Sequence, residues 1–285
     1  MADHLQEVSE DENFMQGDII RRAVPIDNEE QFQWGFILNA DCDIEQKKNS
    51  SLISWMEIIP ADRFIERYWA KEQLDKLVQK QLGPICEQLN SLLKSKDASL
   101  RLLETADLLQ WMQEEGADQI IDTIGVEDVK LRARITAINA ALCSNGDSEG
   151  LSDLLKCAET FSQKREKILD EARRCLEQPG GFADYVFVPG IPGSKSEGFV
   201  VRLRDISGVP ETEVFRSIAE IRIHDQPHAF YRVGRFSDGL RYQIVQKMAF
   251  LFSRIGSPRA FEEECRVAAQ LLVDQKNSEV ANNGV

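Results

Sequence analysis

Trp34-Gly-Phe-Ile-Leu-Asn-Ala-Asp-Cys-Asp-Ile-Glu-Gln-Lys-Lys48 alternates side chains with a period of two until it reaches a cysteine set between two aspartates. Successive side chains on a strand face opposite ways. Phe36, Leu38, Ala40, Cys42 and Ile44 therefore share one face, and Ile37, Asn39, Asp41 and Asp43 the other. This predicts a half-buried strand from Trp34 to Ile44, with Cys42 inward and chemically quiet and a carboxylate pair outward.

On either side the pattern stays extended. Gln16-Gly-Asp-Ile-Ile20 reads as a turn leading into a strand, and Leu52 to Ile59 as a third strand stopped by Pro60. From Ala61 to Gln178 the apolar spacing changes to three and four, which predicts a helical module. Five helices are expected there. The first carries Phe64 to Val78 and ends near Gly83-Pro84, a second carries Leu89 to Leu93, and a third stops at Gly116. A fourth spans Val126 to Leu142 and a fifth Ser152 to Glu177. Alternation returns at Tyr185 to Val188, Phe199 to Leu203, Glu220 to Ile223 and Phe230 to Val233. A helix from Leu240 to Ile255 follows, capped by Ser237 or Asp238, and Ser257-Pro258 starts a last one.

Neither β flank has enough strands to bury a core alone. The expected architecture is α+β: one small sheet or barrel assembled from residues 14–60 plus 185–275, with 61–178 inserted as a helical module. Strands before Pro60 should hydrogen-bond with strands after Tyr185.

Composition narrows the class. The 285 residues are 42% apolar and 29% charged, as in a soluble globular protein. The longest apolar runs are a few residues, against roughly 20 for a bilayer span. Met1 to Asn13 is acidic and polar, so the expected compartment is the cytoplasm. Six cysteines form no C-x-x-C pair, and His4, His224 and His228 are the only histidines, which argues against a structural zinc site. Most of these cysteines read as small core residues. A net charge of −14 argues against a protein that coats nucleic acid. Residues 1–60 hold four basic side chains against thirteen carboxylates, a net of −9, and residues 200–260 hold ten against six, a net of +4. Packing of these two segments against one another is expected.

Several constellations in the sequence are candidates for chemistry. Asp41 and Asp43, about 6–7 Å apart on one strand face, could hold Mg²⁺ with Glu45 or Glu57, or simply end a strand in solvent. Cys42 as a nucleophile is disfavoured by its aspartate neighbours. Glu45-x-Lys47 matches half of a restriction-nuclease signature and lacks an upstream acid except Asp27 in a loop. Gly190-Ile-Pro-Gly-Ser-Lys-Ser196 lacks the spacing and the following helix of a phosphate loop, and reads as a mobile hairpin loop. Arg202 and Arg204 share a strand face and could bind an anion bidentately, or pair with the acidic N-terminal segment.

Gly35 to Ile44, the early Gln16-Gly-Asp18 and the late Phe252 to Pro258 together resemble a group of mostly uncharacterised bacterial proteins found in mobile or phage-defence gene neighbourhoods. The resemblance implies a small Src-homology-3-like β-barrel interrupted by helices, and it carries no catalytic residue or cofactor. Asn39 departs from that pattern, which has Ser or Thr in the strand. The expected function is a non-enzymatic interaction component, a sensor or adaptor of an anti-phage system with an operon-encoded protein partner contacted through the insertion. The alternative is a metal-dependent hydrolase centred on Asp41 and Asp43.

Overall fold

The computed structural model describes residues 4–24, 33–48, 51–97, 99, 101–144, 150–177, 184–253 and 263–271. Among the described residues, eight strands form one sheet: β1 (Leu5–Gln6), β2 (Asp18–Arg22), β3 (Trp34–Ile37), β4 (Leu52–Pro60), β5 (Tyr185–Val188), β6 (Phe199–Pro210), β7 (Val214–Phe215) and β8 (Phe230–Phe236). Their order is β1-β8-β2-β3-β4-β6-β5, with β7 also beside β8. All pairs are antiparallel except β7–β8. Among the described residues this is an open path. The two ends of the chain meet three times, where β1 and β2 pair with β8 and β4 pairs with β6.

The alternation read in the sequence puts one side chain on each face. Trp34 and Phe36 of β3 join an interior with Ile19, Met56, Ile58, Val188, Phe199, Val201 and Phe236. Ile37 points the other way, with Ile20, Ile53, Trp55 and Phe230. β3 is therefore buried on both faces rather than one. Gly35 makes this possible, because a Cβ there would lie 2.6 Å from the Trp55 ring.

The strand also stops earlier than expected. Ala40 takes φ −62° and ψ 145°, and Asp41–Glu45 forms a short helix, α1. The Asp43 and Ile44 amides donate to the Ala40 carbonyl at 3.0 and 3.1 Å. Two aspartates in a first helical turn suit the unpaired amides there. The departure residue Asn39 bridges to β4, its Oδ1 accepting from the Ser54 amide at 2.6 Å.

The insertion is helical as expected, with different breaks. After α2 (Ala61–Phe64) comes a π-helical turn, Ile65–Trp69, and then α3, Ala70–Lys96. α3 runs straight through Gly83-Pro84. A proline inside a helix costs about 3 kcal/mol, but Leu82 before it and Ile85 and Leu89 beyond it are all buried. At about 1.5–3 kcal/mol each, their burial outweighs the lost bond and ring clash. α4 (Thr105–Ile124) does break at Gly116, whose φ is 81°. α5 (Val129–Cys143) begins at the Asp128 cap, which accepts from the Lys130 and Leu131 amides. The expected fifth helix is two, α6 (Gly150–Thr160) and α7 (Arg165–Glu177), because the chain turns through Ser162 at φ 59°. The module packs on the sheet through Phe64, Trp69, Leu74 and Leu154 against Ile59 and Val200.

Glu220–Ile223 is helical rather than extended, within α8 (Ile218–Ile223), whose cap Ser217 accepts from the Glu220 amide. α9 (Asp238–Ser253) seals the interior with Ile244. The expected helix end at Ile255 and the Ser257-Pro258 start lie outside the described residues, as does Asp27. Among the described residues no helix is long and apolar enough to cross a membrane.

Candidate functional site

The early Gln16-Gly-Asp18 and the Asp41 turn meet in space. Asp18 is fully buried on β2. Its Oδ1 accepts from Arg235 Nε at 2.5 Å, and its Oδ2 from Arg235 Nη2 at 3.3 Å and Arg232 Nη1 at 3.4 Å. The Met15 amide adds a bond of 3.0 Å. Desolvation raises the Asp18 carboxyl pKa, while Arg235, the Met15 amide and Arg232 pull it back. Arg235 also reaches Glu12 at 3.1 Å. Arg232 donates to the carbonyls of Ser9 and Asn13 at 2.8 and 3.1 Å, which ties the N-terminal segment across β8. Sequence reasoning counted both arginines but missed Asp18, which reads there as a turn residue.

Asp41 is equally committed. Its Oδ1 accepts from the Gln16 amide at 2.7 Å and its Oδ2 from Arg241 at 3.1 Å. Gly17, at φ +91°, leaves room for Arg241, whose Cβ would lie 2.9 Å from any Cβ at that position. Asp43 sits two residues on in a helical turn, about 200° around the axis, so the two carboxylates diverge instead of sharing a face. Glu57, the proposed third ligand, bonds Arg202 at 2.7 Å. Among the described residues no group of three His, Cys, Asp or Glu is placed to hold a metal.

Cys42 is exposed, against expectation, because α1 turns it out of the sheet; Cys143 and Cys265 are exposed as well. Cys86 and Cys157 are buried. Desolvation pushes the Cys157 thiol up to about 11. At pH 8 that leaves roughly one thiolate in a thousand. Timed alkylation with N-ethylmaleimide, read by peptide mass, should therefore label Cys42 well before Cys157. The reverse order would place Cys42 back inside the sheet.

Arg202 and Arg204 line one cavity of about 510 Å³ with Phe64, Tyr68, Trp69, Tyr185 and the acids Glu72, Asp184 and Asp205. They arrive there through a bulge. Met56 pairs with Ile206 while Ile58 pairs with Val201, so two steps along β4 span five along β6. Arg202 stacks on Tyr68 at 3.8 Å and bonds Glu57 and Asp205, each at 2.7 Å. Arg204 bonds Asp184 at 2.6 Å. Both guanidiniums are thus matched by carboxylates, and the cavity's acids outnumber its arginines.

A second cleft lies elsewhere, on the outer edge of β8. Its volume is about 900 Å³, within the range of ligand sites. The N-terminal segment forms one wall with Leu5, Glu7, Val8 and Glu10, and Arg216, Ser217 and Ile218 form another. Residues 189–192 close one side, and Tyr231 to Gly234 form the floor. That loop is docked rather than mobile: Gly190 O lies 3.0 Å from His4 Nε2, and Ile191 is buried. Pro192 sits against Gly234, where a Cβ would approach it to 2.8 Å. The cleft presents apolar side chains together with Glu7 and Glu10 and the cations Arg216 and Arg232. No family model matches the chain, and no curated protein or solved structure matches it either.

Proposed function

We propose that the chain is a non-catalytic interaction component, a sensor or adaptor, that grips a protein partner in the cleft beside β8. The observation that carries this is the cleft itself: a roomy, largely apolar concavity walled by segments from both ends of the chain. The anti-phage setting implied by the resemblance supplies the context. We read the curled sheet as a small, incompletely closed barrel of the Src-homology-3-like kind. Its support is an interior that joins Val186 and Val188 of β5 to Phe236 of β8, from distant positions in the strand order.

Trp69, one of the insertion's tryptophans, is buried in its core, while Trp111 is half-buried with its Nε1 donating to Glu115 at 2.9 Å. The hydrolase reading loses ground because Asp41 is held by Gln16 and Arg241. Val8→Trp, which fills the cleft, should raise phage plating efficiency at least tenfold on protected cells carrying the neighbouring genes. Asp41→Asn with Asp43→Asn should leave protection in place, with thermal melts confirming that both variants fold. Loss of protection only in the aspartate variant would favour the hydrolase.

A further inference from the structure

β8 is paired along one edge with β2. On its other edge, β1 covers Arg235 and Phe236, running antiparallel, and β7 covers Phe230 and Tyr231, running parallel. Among the described residues, 232–234 have no ladder partner on that edge. These residues are in the floor of the 900 Å³ cleft. The chain peels off β1 at Glu7 and off β7 at Arg216, and both departures line the same cleft. The gap is thus an interrupted strand position, at most about 10 Å long at 3.3 Å per residue, with Val233 the extra residue of a bulge opposite Ile19 and Ile20 of β2.

Fixed contacts hold it open. Arg232 ties the carbonyls of Ser9 and Asn13, so the 9–13 segment is drawn over β8 rather than down its edge. His4 and Pro192 hold the 189–192 loop in place on the flank. Arg216 is held by Asn13 Oδ1 at 3.3 Å. The lining supplies Val8, Ile191, Ile218 and Val233 for apolar side chains. At the rim, Glu7 and Glu10 are exposed, and among the described residues neither is in an ion pair. They belong to a segment with a net charge of −9 over residues 1–60.

We propose that this gap takes an extended segment of a protein partner, added as a strand to β8 between β1 and β7. Backbone hydrogen bonds to the open edge supply affinity, and alternate side chains select the segment. The buried set is apolar and the outward set is lysine or arginine, facing Glu7 and Glu10. This rests on the interaction reading and names the element that the cleft accepts. A nucleic acid is disfavoured by the chain's net charge of −14.

The test uses the full chain and fluorescein-labelled peptides of alternating valine and lysine, in both registers, read by anisotropy and by amide chemical shifts. Binding with shifts at Arg232 to Gly234 is expected. Methylating alternate peptide nitrogens should weaken it at least tenfold, and replacing lysine with glutamate should abolish it. Glu7→Gln with Glu10→Gln should weaken binding several-fold and flatten its salt dependence. The proposal is overturned by equal binding of the methylated peptide, by shifts confined to other elements, or by no binding of either register at millimolar concentration. If the peptides fail while Val8→Trp still abolishes protection in cells, strand addition falls and the interaction reading stands.

Discussion

Asp18→Ala should destabilise the protein by about 3–5 kcal/mol, the cost of removing one member of a buried ion set. Asp18 is fully buried, and the side chains of Arg232 and Arg235 are only 3% and 6% exposed. Without the carboxylate, Arg232 stays in the interior with its charge uncompensated, Arg235 keeps only the solvent-facing Glu12, and the Met15 amide loses its acceptor. Against a typical stability of about 5–15 kcal/mol, this is a large share. Glu12→Gln removes only the solvent-side partner of Arg235 and should leave the urea midpoint nearly unchanged. Urea melts of both variants check the contrast. Equal midpoints for Asp18→Ala and the parent chain would show that this network contributes nothing to folding.

Phe199→Ala should cost about 3–5 kcal/mol by the same measurement. Phe199 opens β6, is fully buried, and packs on Trp34 with ring centroids 5.9 Å apart. It sits in the one interior shared by β2, β3, β4, β5, β6 and β8. A cavity there is lined by strands from both ends of the chain and cannot collapse by moving a single loop. Phe250→Ala on α9 is the control. Its residue is 55% exposed, so its effect should stay within about 0.5 kcal/mol. Similar losses for the two would indicate that the strands do not share a core.

The sequence reveals some of these elements and conceals others, for physical reasons. Trp34 to Ile37 was legible because its side chains alternate and are apolar on both faces. Asp41 to Glu45 was not, since a five-residue helix carries too few residues to break the apparent period of two. α8 did carry a signal: Ser217 lies three residues before Glu220, the spacing of a helix cap, and was read as alternation instead. The turn at Ser162 has no Gly or Pro to mark it. Pro84 marks a break that buried neighbours override. The Asp18 network joins residues more than 210 positions apart and follows from strand register alone. The β8 cleft is a gap in pairing, and a missing strand partner leaves no trace in the residues that lack it.

The direct measurement is site-specific photocrosslinking in cells that carry the neighbouring genes. p-Benzoylphenylalanine would be placed singly at Gln6, which lines the β8 cleft, at Lys130 on the exposed face of α5, and at Glu45 beside the two aspartates. A protein adduct from position 6, with none from positions 130 or 45, is the predicted result. Adducts from position 130 or 45 with none from position 6 would contradict it, placing the working surface on the insertion or at the Asp41–Asp43 turn.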